Sequence, residues 1–343
     1  MSGQHTSAAE PPQNANSAPA GGSEAAKSRA WGDPASAAGP PQGANRAPSG
    51  GSAAAKPQAW GDHASTADIS VEELARAPLG HPSPHPDRYA ASLLFAVPRA
   101  PQRAALGISD ALPFTGADVW TAYELTWLDE GGKPQVALAT LDVPVDSPSI
   151  IESKSMKLYL GSFAQTRLGG MTDVAATIER DLSLACGARI GVTLRGPAAF
   201  TGQSIRELDG ESLDDLRVAC DVYDVDPAFL AASDGVVAET LTSRLFRSVC
   251  PVTAQPDIAS VQITYRGPRI DREGLLRYLV SYRGHAGFHE HCVERIFTDI
   301  AARCRPAELT VLARFTRRGG LDINPFRTNA GVANPDNVRT ARQ

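Results

Sequence analysis

The sequence predicts an α+β protein made of two similar modules that follow a tail without a core of its own. The first 67 of the 343 residues contain 19 Ala, 9 Gly and 8 Pro but no Leu, Ile, Val, Phe or Tyr, so they lack the side chains that build a core. The remaining 276 residues hold nearly all the branched and aromatic side chains, enough for one large domain or two of ordinary size. Within them the order strand, strand, helix, helix, strand, strand is predicted twice.

The tail is an internal repeat. Residues 7–38 return 29 positions later as residues 36–67, which brings Trp31 onto Trp60. A repeat of this length forms a solenoid only when each unit carries an apolar face, and here each unit offers a single Trp. We therefore expect residues 1–67 to be a disordered duplication. The alternative is that each Ala-Trp-Gly-Asp segment is a short docking motif for a partner.

The first module is placed at residues 68–210. Ser70, with Glu73 three residues later, has the pattern of a helix N-cap. Two runs rich in β-branched and aromatic residues, 119–128 and 135–142, flank a Gly- and Pro-containing turn and predict a β-hairpin. Helical spacing of apolar residues then predicts two helices, 152–167 and 172–185, before a strand at 188–194.

The second module, residues 211–343, repeats this order. With an offset of 119 residues, Glu152 falls on Asp271 at the start of a predicted helix. At the same offset the tight turn of the first hairpin corresponds to a longer loop that contains Cys250 and Asp257, and enlarged loops on rigid scaffolds often carry function. The predicted elements are strands at 236–245, 259–265, 309–315 and 321–324, and helices at 272–282 and 289–302.

The composition excludes several classes of protein. A formal net charge of -5 argues against a protein that follows nucleic-acid phosphates, which would carry a basic excess. No apolar run approaches the roughly 20 residues of a membrane-spanning helix, and the N-terminus lacks a secretory signal. Five cysteines at irregular spacing do not suggest a disulfide framework. We therefore expect a soluble cytoplasmic protein with no membrane partner and no direct nucleic-acid partner.

Cys250 ends an apolar strand and opens a loop that contains two prolines. From residue type alone a buried structural cysteine is the leading interpretation, because free Cys is among the most buried residues. The alternative is a nucleophile. An ordinary thiol has a pKa of about 8.5 and needs activation, and Asp257 could carry the proton if the loop folds back.

His285, His289 and Cys292 are spaced like zinc ligands near a predicted helix start. They lack the His-Glu-x-x-His register of zinc peptidases, so the metal signal is weak. A capped helix with a polar first turn is the simpler interpretation, and a metal site stays open as the alternative.

Two segments, 151–163 and 314–320, carry residues suited to a polar ligand. Glu152 could accept hydrogen bonds from a planar ligand edge, and Lys154 and Lys157 offer charges to phosphate. The three arginines of the second segment precede two glycines, which allow close backbone approach to phosphate oxygens. An amphipathic helix with a solvated lysine face is the simpler interpretation of the first segment. No Rossmann or P-loop glycine motif occurs in the sequence.

Taken together, these clusters resemble one family. Four motifs, in the correct order, are similar to those of the QueF-type nitrile reductases, NADPH-dependent 7-cyano-7-deazaguanine reductases, over roughly residues 75 to 340. The resemblance fits the long, two-module form, and it implies tunnelling folds, in which ββααββ modules with antiparallel sheets assemble into a barrel. The motifs are Glu152-Ser-Lys-Ser-Met-Lys-Leu-Tyr, Cys250-Pro-x-Thr-x-Gln-Pro-Asp257, Phe288-His-Glu290 and Arg317-Arg-Gly-Gly-Leu-Asp-Ile-Asn-Pro325.

The resemblance also implies roles for individual residues. Cys250 resembles the nucleophile that adds to the nitrile carbon and forms a thioimide, and Asp257 resembles the acid that protonates the nitrogen. It implies NADPH as cofactor, a deazapurine substrate of the queuosine pathway of tRNA modification, and no metal ion; the barrel-forming fold suggests a homodimer. The matching ligand contacts are Ile151, Glu152, Ser153, His289 and Glu290 for the base, and Ser153, Lys154, Arg318 and Gly319 for NADPH.

Two other functions stay open at this point. One is a zinc-dependent cyclohydrolase on the same tunnelling fold, acting on a pterin or purine with His285, His289 and Cys292 as ligands. The other is a non-catalytic scaffold whose tail motifs recruit a partner.

Overall fold

The structure is a computed structural model that describes residue 86, residues 88–109 and residues 111–343. The repeated tail and the helix predicted at Ser70 lie outside the described residues. The strands of the described part are β1 Ala96–Pro98, β2 Thr115–Leu128, β3 Pro134–Pro144, β4 Ser149–Ile151, β5 Gly191–Arg195, β6 Glu211–Ser212, β7 Ala232–Val249, β8 Pro256–Ile270, β9 Glu308–Phe315 and β10 Leu321–Thr328. Its α-helices are α1 Ala100–Ala105, α2 Ser153–Gly161, α3 Met171–Cys186, α4 Arg272–Ser281 and α5 His289–Cys304.

Eight of the strands form one sheet in the order β5-β3-β2-β10-β9-β8-β7-β6. Neighbours are antiparallel except for β6, which runs parallel to β7. β2 of the first module pairs with β10 of the second along the whole of β10, from Leu321 opposite Ala122 to Thr328 opposite Thr115. The two modules therefore share a continuous sheet, and the predicted α+β class with an antiparallel sheet is confirmed.

The first module is a β-hairpin covered on one face by two helices. Trp120 and Trp127 of β2 are each 1% exposed and belong to the core that the helices form with the hairpin. The Asp129 side chain accepts the Lys133 N–H at 2.9 Å and closes the predicted turn. α3 ends at Gly187 with φ +72°, a left-handed conformation that glycine adopts without strain.

The second module repeats the first down to its side-chain contacts. Glu152 and Asp271, 119 positions apart, are the N-caps of α2 and α4. Tyr159 and Tyr278, related by the same offset, are fully buried, and each donates its hydroxyl to a carboxylate of the following helix, at 2.8 and 2.7 Å. A core of aliphatic and aromatic residues lies between the helices and the sheet in each module.

The two modules close differently. In the described part of the chain, the first module ends with one strand, β5, where the repeat predicted two. The chain that follows β5 contains Gly196, Pro197 and Gly202, which do not sustain a strand, and residues 198–207 are exposed. The next strand, β6, pairs with β7 of the second module instead.

The longest α-helices, α3 and α5, have 16 residues each. Among the described residues, no helix has the length and apolar character needed to cross a membrane. All five cysteines are free thiols.

Candidate active site

A cleft with an empty volume of about 280 Å³ lies where the two modules meet. The end of β4 and the start of α2 contribute from the first module, and the loop after β7 and the start of α5 contribute from the second. The cleft brings together most of the residues singled out from the sequence. Its lining residues are Ile151, Ser153, Cys250, Pro251, Asp257, Phe288, His289, Glu290, Arg318 and Ile323.

A larger open hollow lies on strands β7, β8 and β9. A row of threonines, Thr240, Thr264 and Thr310, contributes to its lining. Its two glutamates are engaged within the sheet, Glu239 by Tyr265 and Arg269 and Glu308 by Arg266, whereas the cleft has a thiol and a carboxylate oxygen facing a ligand space.

Cys250 follows β7 directly and starts a closed loop. Its N–H donates to the Gln255 carbonyl at 2.8 Å, and its own carbonyl accepts the Ala254 N–H at 3.0 Å. Ala254 is held at φ +55°, where a residue with a Cβ is strained. These bonds fix the backbone on both sides of the thiol, and Cys250 is 7% exposed at the wall of the cleft. The thiol is therefore buried but faces the space a ligand would occupy.

Asp257 lies near the start of β8 and is 3% exposed. Its Oδ1 atom lies 2.7 Å from an Arg318 guanidinium nitrogen and 3.2 Å from Nε2 of His289. The donor directions do not satisfy a formed hydrogen bond to this oxygen, so the contacts are electrostatic. Arg318 also donates to the Gln255 side chain at 2.8 Å. One guanidinium thus holds both the carboxylate and the loop that carries Cys250.

His289 is the first residue of α5. Its ring stacks face to face on Phe315, with centroids 3.8 Å apart and an interplanar angle of 3°. Nδ1 is buried and has no hydrogen-bond partner among the described residues. The stacking fixes the plane of the imidazole, so that Nε2 faces Asp257.

Glu290, the next residue, is 3% exposed, and its Oε1 atom has no hydrogen-bond partner in the described part of the chain. Burial raises the pKa of this carboxyl to about 8, with a further contribution from the negative charge of Asp118. The guanidinium groups of Arg99 and Arg327 act in the opposite direction. A buried acceptor that faces a cleft without a partner is suited to the N–H groups of a ligand.

Glu152 has a different environment from the one its sequence suggested. One carboxylate oxygen accepts the Lys154 N–H and the other accepts the Ser155 N–H, each at 2.8 Å, so the side chain caps α2. Glu152 is 2% exposed and is not among the lining residues of the cleft, although its neighbours Ile151 and Ser153 are. The predicted contact between Glu152 and a substrate stays a prediction.

A cationic cradle lies beside the cleft, formed by Lys157, Arg318, Gly319 and Gly320. Both glycines have left-handed backbones, with φ of +59° and +71°. A Cβ atom at Gly319 would lie 3.2 Å from Cδ of Lys157, so this lysine passes directly beneath the glycine. Burial and the nearby Arg318 charge lower the pKa of Lys157. The Glu124 carboxylate lies against Gly320, so the cationic part of the cradle is at Gly319. Because two cations are held close together beside this glycine, that part is suited to an anion such as phosphate.

Comparison with known proteins identifies the family. Residues 85–194 match a family model described as "Nitrile reductase, 7-cyano-7-deazaguanine-reductase N-term", and residues 256–333 match one described as "QueF-like protein". The NADPH-dependent 7-cyano-7-deazaguanine reductase of Burkholderia cenocepacia is 58% identical over 271 residues, which cover 78% of this chain and 98% of the relative. The chain belongs to the QueF family of nitrile reductases.

Other relatives and one solved structure also match. The enzyme of the same name from Burkholderia multivorans is 57% identical over 269 residues, again 78% of this chain and 98% of the relative. The solved structure of an archaeosine synthase, QueF-Like in its apo form, matches with 21% identity and a TM-score of 0.26, covering 29% of this chain and 99% of its own. The predicted membership of the QueF family in its long form is thus confirmed.

The three residues considered as zinc ligands, His285, His289 and Cys292, are not grouped as a metal site. His289 faces Asp257, whereas the ring of His285 lies next to that of His291, with centroids 6.4 Å apart. Among the described residues no three His, Cys, Asp or Glu side chains are grouped so that they could hold a metal ion. Burial lowers the pKa of His285 to about 4.

Sequence reasoning missed a buried ion cluster next to Glu290. Arg99 donates to Asp118 at 2.6 Å, and Arg327 and Arg103 donate to Glu294 at 2.9 and 2.7 Å. All five side chains are at most 10% exposed. No local motif could reveal the cluster, because its members lie on α1, β2, α5, β10 and the turn after β1. The cluster connects the first module to the helix that carries His289 and Glu290.

Proposed function

We propose that this chain reduces the nitrile of 7-cyano-7-deazaguanine to the primary amine of 7-aminomethyl-7-deazaguanine, with NADPH as the reductant. The observation that carries the proposal is the meeting of Cys250, Asp257 and the unpaired Glu290 carboxylate in one cleft. The family membership supplies the substrate and the cofactor. The product would enter queuosine modification of tRNA. The net charge of -5 favours a free base as the substrate over a base already in RNA.

The chemistry of Glu290 suits the polar edge of the deazaguanine. That edge presents a ring N–H and an exocyclic amine, two adjacent donors that match the two oxygens of a carboxylate. A carboxylate oxygen that is buried without a partner, as Oε1 of Glu290 is among the described residues, gains most when a donor arrives. Phe288 lines the same cleft and offers an aromatic surface to the ring.

The first chemical step would be addition of the Cys250 thiol across the nitrile. The sulfur forms a bond to the nitrile carbon, one π bond of the nitrile breaks, and the electron pair moves to nitrogen. The thiol proton passes to the Asp257 carboxylate and from there to the nitrogen, which gives a neutral thioimide. Arg318 and His289 keep the Asp257 carboxylate in place for both transfers. Lys157 lies within electrostatic reach of Cys250, and a nearby cation stabilises a thiolate.

The cradle residues fit the phosphates of NADPH. Lys157, Arg318 and the left-handed Gly319 would hold phosphate oxygens, with Ser153 and Lys154 at the start of α2 nearby. When bound, NADPH supplies hydride, and reduction of a nitrile to an amine requires two. Cys250 must also depart as a thiolate during this reduction. The two protons that the whole reduction requires come from water, and Asp257 is placed to carry a proton between water, the nitrogen and the departing thiolate.

The test measures NADPH consumption with 7-cyano-7-deazaguanine for the wild type and for Cys250→Ala. We expect two NADPH per nitrile, and no consumption by the variant. Mixing the wild type with the nitrile alone should produce a thioimide absorbance band that Cys250→Ala lacks. Turnover by Cys250→Ala would refute the nucleophile, and no turnover by folded wild type would refute the reaction.

We also propose that the chain forms a homodimer by pairing its sheet edges. Among the described residues β5 pairs only with β3, and the outer edge of β7 is covered only by the two residues of β6. Val236 on β7 is 74% exposed and Leu245 is 44% exposed. Open edges with apolar side chains favour pairing with another chain. A molar mass of one chain by light scattering, at micromolar concentration, would contradict the dimer.

A further inference from the structure

The strands β9 and β10 separate beside the active site. Their continuous pairing ends at Leu312 opposite Phe326, three residues before β9 ends, and resumes only as a single bridge between Arg318 and Leu321. Phe315, the last residue of β9, therefore has no backbone partner on β10. Its N–H donates to the side chain of Asn324 at 3.2 Å, and its carbonyl accepts an N–H of the Gln343 side chain at 3.1 Å. Two side-chain amides thus replace the missing rungs of the ladder.

Gln343 is the last residue of the sequence, yet it is only 6% exposed. Its amide nitrogen also donates to the Asn324 side-chain oxygen at 2.7 Å, and its amide oxygen accepts the Thr340 N–H at 2.9 Å. Both amide N–H groups and the amide oxygen are therefore engaged. A fully bonded, buried amide holds its neighbours in one arrangement, because any displacement leaves a buried polar group unsatisfied.

The residue that Gln343 holds also supports a cleft residue. The Phe315 ring stacks on His289 at 3.8 Å, and His289 Nε2 lies 3.2 Å from Asp257. The segment that follows β9 also contributes a residue to the cleft. After Thr316, whose N–H still donates to the Ile258 carbonyl of β8 at 2.8 Å, the chain leaves the sheet and carries Arg318 to within 2.7 Å of Asp257.

We propose that Gln343 is a positioning residue: its amide fixes Phe315 at the gap between β9 and β10, and Phe315 in turn orients His289 towards Asp257. The effect of Gln343 on the position of His289 does not depend on the proposed reaction. Its catalytic consequence rests on the proposed function, because it concerns the Asp257 carboxylate that would transfer the proton from Cys250.

The test uses the full chain with three substitutions. Gln343→Ala removes the amide. Gln343→Glu keeps its size and its acceptor for Thr340 but replaces both donors with a carboxylate that faces two acceptors. The matched control is Arg342→Ala, because Arg342 also anchors this segment, through the Arg244 and Ala259 carbonyls and the Ser260 hydroxyl, but has no hydrogen bond to Phe315 or Asn324 in the described part of the chain. Thermal unfolding identifies any variant that does not fold.

Two readouts separate positioning from general stability. The first is the NMR signal of the His289 ring protons, assigned with His289→Gln, since a ring stacked face to face on Phe315 is shifted strongly upfield. The second is the rate of thioimide formation with 7-cyano-7-deazaguanine in the absence of NADPH. We expect both Gln343 variants to lose much of the upfield shift and to form the adduct roughly tenfold to a hundredfold more slowly, as for a catalytic group displaced by about 1 Å. Arg342→Ala should retain both values.

Each result has a definite meaning. Unchanged His289 signals in a folded Gln343→Glu or Gln343→Ala protein would overturn the proposal, and so would an equal loss in Arg342→Ala. The NMR readout needs no substrate. If the wild type forms no adduct, the proposed function fails, while the shift of His289 still decides the role of Gln343.

Discussion

Three carboxylates near the cleft differ in what their oxygens contact. Glu152 gives both oxygens to backbone N–H groups, Asp257 faces two cationic or ionisable side chains, and Glu290 leaves one oxygen without a partner among the described residues. These environments suit a helix cap, a proton carrier and a ligand anchor, in that order. The sequence does not reveal these environments, because the groups near each acid are far along the chain. Arg318 lies next to Asp257, and Arg99 acts on Glu290.

The first prediction at this scale concerns Glu290. Its pKa is raised to about 8 by burial, so below that pH the free protein holds a proton that must leave before both oxygens can accept the donors of the base. We expect the affinity for 7-cyano-7-deazaguanine to increase as the pH rises towards about 8 and to be constant at higher pH. Calorimetric titration of Cys250→Ala, which cannot react, measures this dependence.

Glu290→Gln in the same background supplies the comparison. It should bind about tenfold or more weakly at high pH, because hydrogen bonds to a charged acceptor contribute about 1.5–3 kcal/mol, and its affinity should not depend on pH in this range. The same pH dependence in both proteins would assign the titration to another group.

The second prediction concerns Arg318, which the sequence assigns to the cofactor and the structure also connects to Asp257. Arg318→Gln should slow formation of the thioimide without NADPH, because Asp257 and the Cys250 loop lose a common partner. Stopped-flow absorbance measures the rate. The matched control is Arg317→Gln, since the Arg317 guanidinium lies over the Tyr123 ring, 5.0 Å from its centroid. A normal rate of adduct formation in Arg318→Gln, with only the KM for NADPH raised, would confine Arg318 to the cofactor.

At the scale of elements, predictions succeed where local signals are strong. The first hairpin follows from alternating β-branched and aromatic residues around a turn, and the four long helices follow from apolar spacing. The single closing strand of the first module was not predicted, because whether residues 196–210 pair depends on the edge of another module. Neither was the gap between β9 and β10, since the amides of Asn324 and Gln343 that fill it are distant in sequence.

A prediction about stability in acid concerns two buried histidines, His285 before α5 and His291 in its first turn. Burial lowers the pKa of His285 and of His291 to about 4, whereas a histidine in an unfolded chain titrates near about 6.5. Between these values the unfolded state binds more protons at these two sites, so their contribution to the free energy of unfolding should decrease as the pH falls from about 6.5 to about 4. The expected loss is on the order of 3 kcal/mol per histidine.

Urea unfolding at a series of pH values measures this loss. His285→Gln and His291→Gln should each flatten part of the dependence. Glu290 acts in the opposite direction over this range, because its raised pKa of about 8 makes the folded protein bind a proton before the unfolded chain does. The histidine contribution is therefore measured as the difference between the wild type and the variants at each pH. A slope unchanged in the double variant would show that these histidines do not cause the loss.

At the scale of the whole molecule, two features join the two modules. β2 pairs with β10 along the entire length of β10, and a buried ion cluster crosses the same boundary. Arg99, Arg103 and Asp118 come from the first module, and Glu294 and Arg327 come from the second. The internal repeat in the sequence predicts two similar modules, but neither the strand pairing nor the cluster that joins them has a counterpart within one module.

The last prediction concerns this cluster. Glu294 accepts from both Arg103 and Arg327, and the three residues are buried. Glu294→Gln would leave Arg103 without its carboxylate partner and would leave Asp118 to compensate both Arg99 and Arg327. Removing one partner of a buried ion pair typically costs about 3–5 kcal/mol. Urea unfolding followed by circular dichroism should therefore show a much lower midpoint. The control, Glu273→Gln, removes an exposed pair with Arg277 and should cost less than about 1 kcal/mol. Equal, small effects of the two substitutions would mean that the strand pairing alone joins the modules.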